Sequence, residues 1–425
     1  MDNTSATKTT VVETVVCSEI GKLEGVILHT PGSEVENMTP DTVQKALYSD
    51  ILNLEVASHE YRQFKCVLDK YTTTYQVRDL LKEVLQNEKV KIDLVHKICD
   101  HEKIGKLKNS MLQMNSDDLT TALIEGIELT RDNLSKFLSK DRFELEPLHN
   151  FFFTRDASIT VGNEVFISKM ASKVRDRESL IMESIFDYHP LLKTTTVNPQ
   201  SSRNICKEFS FEGGDFIVAR EDILLIGTGL RTTPKGIDFI IDHYRHKGGV
   251  KHLIVQELPY EPESFIHLDM VFTFIDNNMC MIYEPLIMYS SRFLTIHITI
   301  DNGKVKIKEE ENIPAALEKL GMKIDYICCG GNKDTVIQER EQWHSGANFF
   351  ALEPGKIIGY GRNINTIDAL NQNGFDVVRA KDIMNGIDTI DNHKKCVITI
   401  EGAELSRGGG GCRCMTMPVK RAPLL

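Results

Sequence analysis

Glu212-Gly213-Gly214-Asp215-Phe216-Ile217-Val218-Ala219-Arg220-Glu221-Asp222-Ile223-Leu224-Leu225-Ile226 joins an acidic, glycine-containing cluster to two short apolar runs. Phe216 to Val218 and Ile223 to Ile226 are apolar and bounded by charged residues, so both are read as strands. The texture repeats on either side. Val165 to Ser168 precedes it, and His252 to Val255, Val271 to Ile275 and Met279 to Tyr283 follow. Helical stretches such as Glu178 to Tyr188, stopped at Pro190, lie between them. Strands alternating with helices predict an α/β fold.

The acidic cluster recurs as well. Thr154-Arg155-Asp156, Glu212-Gly213-Gly214-Asp215 and His267-Leu268-Asp269 are separated by 56 (212 − 156) and 55 (267 − 212) residues. A period slightly above ~50 residues predicts a radial array of similar units, each placing one polar cluster at a common axis. The recurrence lies in motif placement and not in residue-by-residue similarity.

Upstream, Leu23 to Leu28 reads as a strand, and a helical pattern starts at Pro40-Asp41-Thr42 and runs through Leu47, Ile51 and Leu54. From Arg78 to Arg142 the spacing is helical throughout, with Leu80, Leu81, Val84 and Leu85, then Leu119, Leu123, Ile124 and Ile127 behind Ser116 as N-cap. The expected organisation is a flexible tail over 1–12, an α/β body over 13–77 and 143–425, and an all-helical insertion over 78–142.

At 425 residues the chain exceeds what one core supports. Hydrophobic residues make up 41% and charged ones 26%, and no uncharged apolar run approaches the ~20 residues of a membrane span. The net charge of -11 argues against nonspecific binding to nucleic acid or an anionic membrane and is compatible with a small cationic substrate. The opening ten residues lack a signal-peptide apolar stretch, and the ten cysteines lack the density of a disulfide framework, so a cytoplasmic location is expected. Cysteines such as Cys206 and Cys280 are read as buried small hydrophobes.

Two cysteines differ from the rest. Gly408 to Gly411 lead into Cys412-Arg413-Cys414-Met415-Thr416-Met417-Pro418, a run too permissive to build a core. Either Cys412 or Cys414 can serve as a nucleophile, its thiolate favoured by Arg413 and the amides of the turn; the alternative is a surface loop. Cys-x-Cys offers two thiolates to a metal, but no second cluster completes a tetrahedral set, and no Gly-Lys-Ser or Gly-Lys-Thr follows for phosphate. On a strand, His267 and Asp269 face the same side, and histidine is the usual proton partner of a thiol at neutral pH. Glu212 can orient that histidine, while Asp156 follows Phe151-Phe152-Phe153 and can bind a cation in an apolar pocket. One thiol, one histidine and at least three acids suit a planar guanidinium, which carboxylates clamp in bidentate fashion.

Phe153-Thr154-Arg155-Asp156, Glu212-Gly213-Gly214-Asp215, Gly229-Leu230-Arg231-Thr232-Thr233-Pro234, His267-Leu268-Asp269 and Cys414-Met415-Thr416, in this order, resemble the motifs of arginine deiminases, within the superfamily of guanidino-group modifying enzymes. The resemblance implies five pseudo-symmetric ββαβ modules in an α/β propeller with an inserted helical subdomain. It implies hydrolysis of free L-arginine to citrulline and ammonia without metal or organic cofactor, in a cytoplasmic protein expected to form a homo-oligomer. Cys414 is then the nucleophile, His267 the acid and base, Glu212 its partner, and Asp156 with Asp269 the guanidinium clamp. Arg175 and Arg231 match carboxylate-binding arginines, Asn150 and Phe153 line the pocket, and Arg177 is read as a surface helix residue. Family members often carry an arginine five residues before the cysteine, where this chain has Gly409; either the loop bends so that Arg407 reaches the substrate carboxylate or that contact is absent, and Arg413 is read as a gate over the site. An agmatine or methylarginine hydrolase, an amidinotransferase, or a silent arginine-binding protein are the competing readings.

Overall fold

The computed structural model describes residues 11–40, 50–199, 209–289, 292–332 and 334–424. Five sheets dominate it, and they share one plan: two antiparallel strands, with the next strand parallel to the second. In the first, Leu23–Leu28 pairs antiparallel with Met417–Arg421 and parallel with Thr73–Gln76. In the second, Ser158–Val161, Glu164–Ile167 and Thr195–Val197 repeat the plan. The third sets Phe216–Arg220 against Ile223–Thr228, adds Val250–Glu257 in parallel, and extends outward through Thr295–Asp301 and Lys304–Glu310. The fourth consists of Phe272–Asp276, Met279–Ile282 and Asp325–Cys328. The fifth consists of Phe350–Glu353, Lys356–Tyr360 and Cys396–Ile400, with Asp376–Arg379 parallel at its edge.

A parallel third strand requires a crossover, and in each sheet a helix supplies it. Leu54–Tyr71, Asp176–Tyr188, Pro234–Lys247, Ile313–Lys319 and Ile364–Gln372 fill the five places. Local sequence starts them. Asn53 accepts a hydrogen bond from Val56 N, and Thr233 accepts one from Gly236 N just ahead of Pro234 at the first helical position. The middle strands are apolar on both faces because the sheet is covered on both: Ile223, Leu224, Leu225 and Ile226 are all fully buried.

Five helices, from Val77–Val84 to Leu134–Leu138, occupy the stretch read as helical, together with one short strand, Ile127–Glu128, that pairs with Phe143–Leu145. A strand of two residues leaves no periodic trace in sequence. The N-cap of Ser116–Glu125 is Asn115 and not Ser116: Asn115 Oδ1 accepts from Asp118 N (2.9 Å). Leu80, Leu94 and Leu123 share a buried cluster with Phe151, in the turn before Ser158–Val161, and with Ile167 and Met417 of the sheets. The helical pattern expected over Asp41 to Leu47 and the burial expected of Cys206 fall outside the described residues; Cys280 is fully buried.

Candidate active site

Each residue expected to carry chemistry sits where a loop enters the first strand of a sheet. Asp156 precedes Ser158–Val161, Glu212 precedes Phe216–Arg220, His267 and Asp269 precede Phe272–Asp276, and Cys414 precedes Met417–Arg421. Asn348 holds the same place before Phe350–Glu353. Hydrogen bonds join these loops in a circle. Arg155 N donates to Cys414 O (3.1 Å) and Gly213 N to Asp156 O (3.0 Å). Leu268 N donates to Asp215 Oδ1 (2.9 Å), Asn348 Nδ2 to Asp269 O (3.0 Å), and Cys414 N to Asn348 Oδ1 (3.3 Å).

The strand expected to carry His267 and Asp269 is instead a single 3-10 turn, Leu268–Met270, with His267 as its extended N-cap. The turn sends the two side chains to different partners. His267 Nε2 donates to Glu212 Oε2 (3.0 Å), while His267 Nδ1 faces Asp156 Oδ1 at 3.6 Å, beyond hydrogen-bond reach. Asp269 lies against the thiol, with Oδ2 at 3.7 Å and Oδ1 at 3.9 Å from Cys414 Sγ. Among the described residues, His267 and Cys414 make no direct hydrogen bond.

Asp156 and Asp269, the two acids expected to clamp the substrate, hold guanidinium groups of the chain itself. Arg175 Nη1 donates to Asp156 Oδ2 (2.7 Å), and its Nε and Nη2 donate to the two oxygens of Glu178. Arg413 Nη1 donates to Asp269 Oδ2 (2.8 Å), and its remaining donors reach Glu19 and Phe216 O. Arg413 is 1% exposed, so it is a buried anchor and not the gate expected of it. Arg231 Nη1 donates to both oxygens of Glu212 at 3.3 and 3.4 Å. Asn150 is buried in the turn before Phe153, whose ring lies against Gly410.

Other expectations part from the structure. Arg407 is exposed and pairs with Asp50 and Glu404, away from the cluster. Gly409 takes φ +80°, the left-handed region glycine favours, which turns the chain between Arg407 and Cys414. Arg177, read as a surface residue, is fully buried: its Nη2 donates to Glu146 O and its Nη1 lies 3.6 Å from Glu102. Cys412 is buried among apolar side chains, which pushes its thiol well up.

Burial and charge set the titration of the core. Burial alone would lower His267, but Asp156, Glu212 and Asp215 outweigh it and raise it to about 9. Burial would raise Glu212, yet Arg231, His267 and Arg175 hold it well below the usual carboxylate range. Burial, then Asp269 and Asp156, push the Cys414 thiol well up, so its surroundings favour thiol over thiolate. Ligand atoms of Asp156, Glu212 and His267 lie within 4.8 Å of one another, a spacing a metal ion can use. Arg175 and Arg231 already neutralise those carboxylates, and the exchange that costs least is one guanidinium for another.

Sequence reasoning missed Asn348, Glu19 and Glu178. Asn348 follows the same loop-to-strand rule as the other site residues, and that position was its available signal. Glu19 is a lone acid far from any motif; burial would raise it, and Arg413 brings it down to about 2.

The model of a family described as arginine deiminase matches residues 44–421. An arginine deiminase of Borrelia garinii subsp. bavariensis is 34% identical over 428 residues, covering 96% of this chain and 97% of its own. One from Bacillus cereus is 32% identical over 426 residues, covering 96% and 98%. Among solved structures, the N-terminal domain of ArgZ, a cyanobacterial arginine dihydrolase, is 12% identical, covers 93% of this chain and 98% of its own, and has a TM-score of 0.52, a likeness of fold.

Proposed function

Because the chain belongs to the arginine deiminase family, whose hydrolysis of L-arginine to L-citrulline and ammonia is its function, we propose that Cys414, His267, Glu212, Asp156 and Asp269 carry that reaction. The observation that supports this assignment is the guanidinium of Arg175 seated on Asp156, in a cluster whose other acid, Asp269, lines the Cys414 thiol. The cluster binds the reacting group's own chemistry.

Free arginine displaces Arg175 from Asp156 and places its guanidinium carbon by Cys414 Sγ. A cation between Asp156 and Asp269 offsets the two charges that hold the thiol protonated, so on substrate binding the thiol gives its proton to solvent and becomes the thiolate, which regains a proton when product leaves. The thiolate attacks the carbon. Protonated His267, whose Nδ1 has no hydrogen-bond partner among the described residues, gives its proton to the departing nitrogen, and ammonia leaves a thiouronium. Neutral His267 takes a proton from water, the resulting hydroxide adds to the same carbon, and collapse expels thiolate and citrulline, the surplus proton passing to ammonia. Asp156 and Asp269 act by fixing geometry. Released from Asp156, Arg175 joins Arg231 to hold the substrate carboxylate, with Asn150 and Phe153 lining the pocket.

The proposal extends to architecture. The five sheets are ββαβ modules of a pseudo-symmetric propeller over 13–77 and 143–425, with a tail at 1–12 and a helical insertion at 78–142; the circle of hydrogen bonds between the five loops supports it. A cytoplasmic homo-oligomer completes the reading, supported by Leu134, Phe137 and Leu138, 65–72% exposed on one short helix, and tested by light scattering. The assay of activity is direct. Purified protein given L-arginine releases citrulline, Cys414→Ala releases none, and Cys412→Ala stays active. An active Cys414→Ala beside a dead Cys412→Ala overturns the assignment.

A further inference from the structure

The third sheet extends outward through the hairpin of Thr295–Asp301 and Lys304–Glu310, and two imidazoles meet where that hairpin joins Val250–Glu257. His252 lies directly opposite Thr299, and His297, two residues before Thr299, shares its face. None of the three belongs to the loops that carry the candidate active site. His252 Nδ1 lies 2.9 Å from His297 Nε2, and Thr299 Oγ1 lies 3.5 Å from the first and 3.3 Å from the second. Two ring nitrogens and a hydroxyl oxygen thus converge on one point. Metal–nitrogen bonds of ~2.0–2.1 Å in tetrahedral geometry set ligand atoms about 3.3 Å apart, close to all three edges of that triangle.

The surroundings of the triangle suit a cation. Among the described residues, His297 Nδ1 has no hydrogen-bond partner, and it faces Glu310 Oε1 at 3.5 Å. Glu310 is held in turn by Lys308 and Lys319, so both lysines point to the carboxylate and not to the triangle. A carboxylate behind an imidazole keeps the proton on Nδ1 and leaves the Nε2 lone pair free to ligate. Burial lowers both imidazoles from their usual value, so both are neutral at pH 7, the form that binds a metal. His297 is buried, whereas His252 and Thr299 are half-buried and give solvent a path to the ligand atoms. The hydrogen bond between the imidazoles is the state without metal. On binding, His252 carries its proton on Nε2 in place of Nδ1, and no net proton is released.

We propose that His252, His297 and Thr299 form a binding site for a divalent transition metal such as Zn²⁺, with water as the fourth ligand, that pins the outer hairpin to Val250–Glu257. Calorimetric titration with Zn²⁺ tests it on tag-free, chelator-stripped protein carrying His267→Asn, which removes the Asp156, Glu212 and His267 cluster as a competing site. One equivalent binds, and adding His297→Gln abolishes it. Glu310→Gln, which keeps an acceptor and loses the charge, weakens it about tenfold or more. Cu²⁺ reports the ligands directly, because its electron paramagnetic resonance spectrum shows coupling to two imidazole nitrogens, and to one in His252→Gln. Zn²⁺ also slows amide exchange across residues 295–310 in the parent protein and not in His297→Gln. No bound equivalent, or one that survives both histidine substitutions, overturns the proposal. If His297→Gln fails to fold, the half-buried His252→Gln decides alone, and an unchanged Zn²⁺ affinity in that variant overturns the proposal.

Discussion

His267 is fully buried, which should neutralise an imidazole, and three carboxylates reverse that outcome. In the proposed reaction, the proton it would give to the leaving nitrogen is therefore held up to about pH 9. Activity falls as pH rises through that value, because a general acid must be charged. Glu212 supplies a hydrogen bond as well as charge, so Glu212→Gln should move the alkaline limb of kcat down by about one to two units, toward the ordinary imidazole value near 6.5. A pH–rate profile whose alkaline limb stays in place refutes the assigned partnership. Stability follows the same group with the sign of a raised pKa: its contribution is full below about pH 6.5 and is lost as pH rises through about 9. Asp215, which burial raises to about 7, adds a loss of the same sign between about pH 4 and 7. The chemical types at these positions were readable in sequence. Which acid meets which arginine was not, since Arg175 and Asp156, or Arg413 and Glu19, are joined only by the folded chain.

At the scale of elements, the loop carrying the glycine run is anchored before it begins. Glu60, on the helix Leu54–Tyr71, accepts hydrogen bonds from Ala403 N, Glu404 N and Leu405 N at 2.8, 3.1 and 2.8 Å. Three backbone donors converge on one buried carboxylate, so Glu60→Ala strands all three and should cost about 2–4 kcal/mol. Glu60→Gln keeps an acceptor and should cost about half of that. Urea denaturation measures both; two equal losses, or none, would mean that the helix and not its carboxylate holds the loop. Gly411 meets a matching constraint, because a Cβ there would lie 2.5 Å from Asn348 Oδ1, the acceptor for the Cys414 amide. The strands that enter the sheets were legible because each is a short apolar run. Asn348 was not, because the hairpin Thr295–Asp301 and Lys304–Glu310 lengthens the spacing before its loop and breaks the period that exposes the other three motifs.

The whole molecule places Cys414 just before the last strand among the described residues and pairs that strand with one near the start of the chain. Met417–Arg421 runs antiparallel to Leu23–Leu28, so the position of Cys414 depends on a contact between segments about as far apart as the sequence allows. Arg421 secures this closure. It is 3% exposed, its Nη1 donates to Gly21 O (2.7 Å), its Nη2 donates to Ala351 O (2.8 Å), and its guanidinium lies 5.2 Å over the Phe350 ring. One side chain thus spans the last strand, the segment before Leu23 and the strand Phe350–Glu353 that follows Asn348. Periodicity cannot reveal such a contact, because a strand that ends in arginine reads as a strand reaching solvent. Arg421→Met retains the apolar stem and leaves two buried carbonyls without donors, a loss of about 2–4 kcal/mol that urea denaturation measures. The refolded fraction should retain kcat, since Arg421 touches none of the reacting groups. Truncation after Thr416 is the severe form of the same change. It exposes an edge of Leu23–Leu28 and frees Cys414 from the circle of loops, so soluble protein with wild-type citrulline release from that truncation would show that the circle holds without its closing strand.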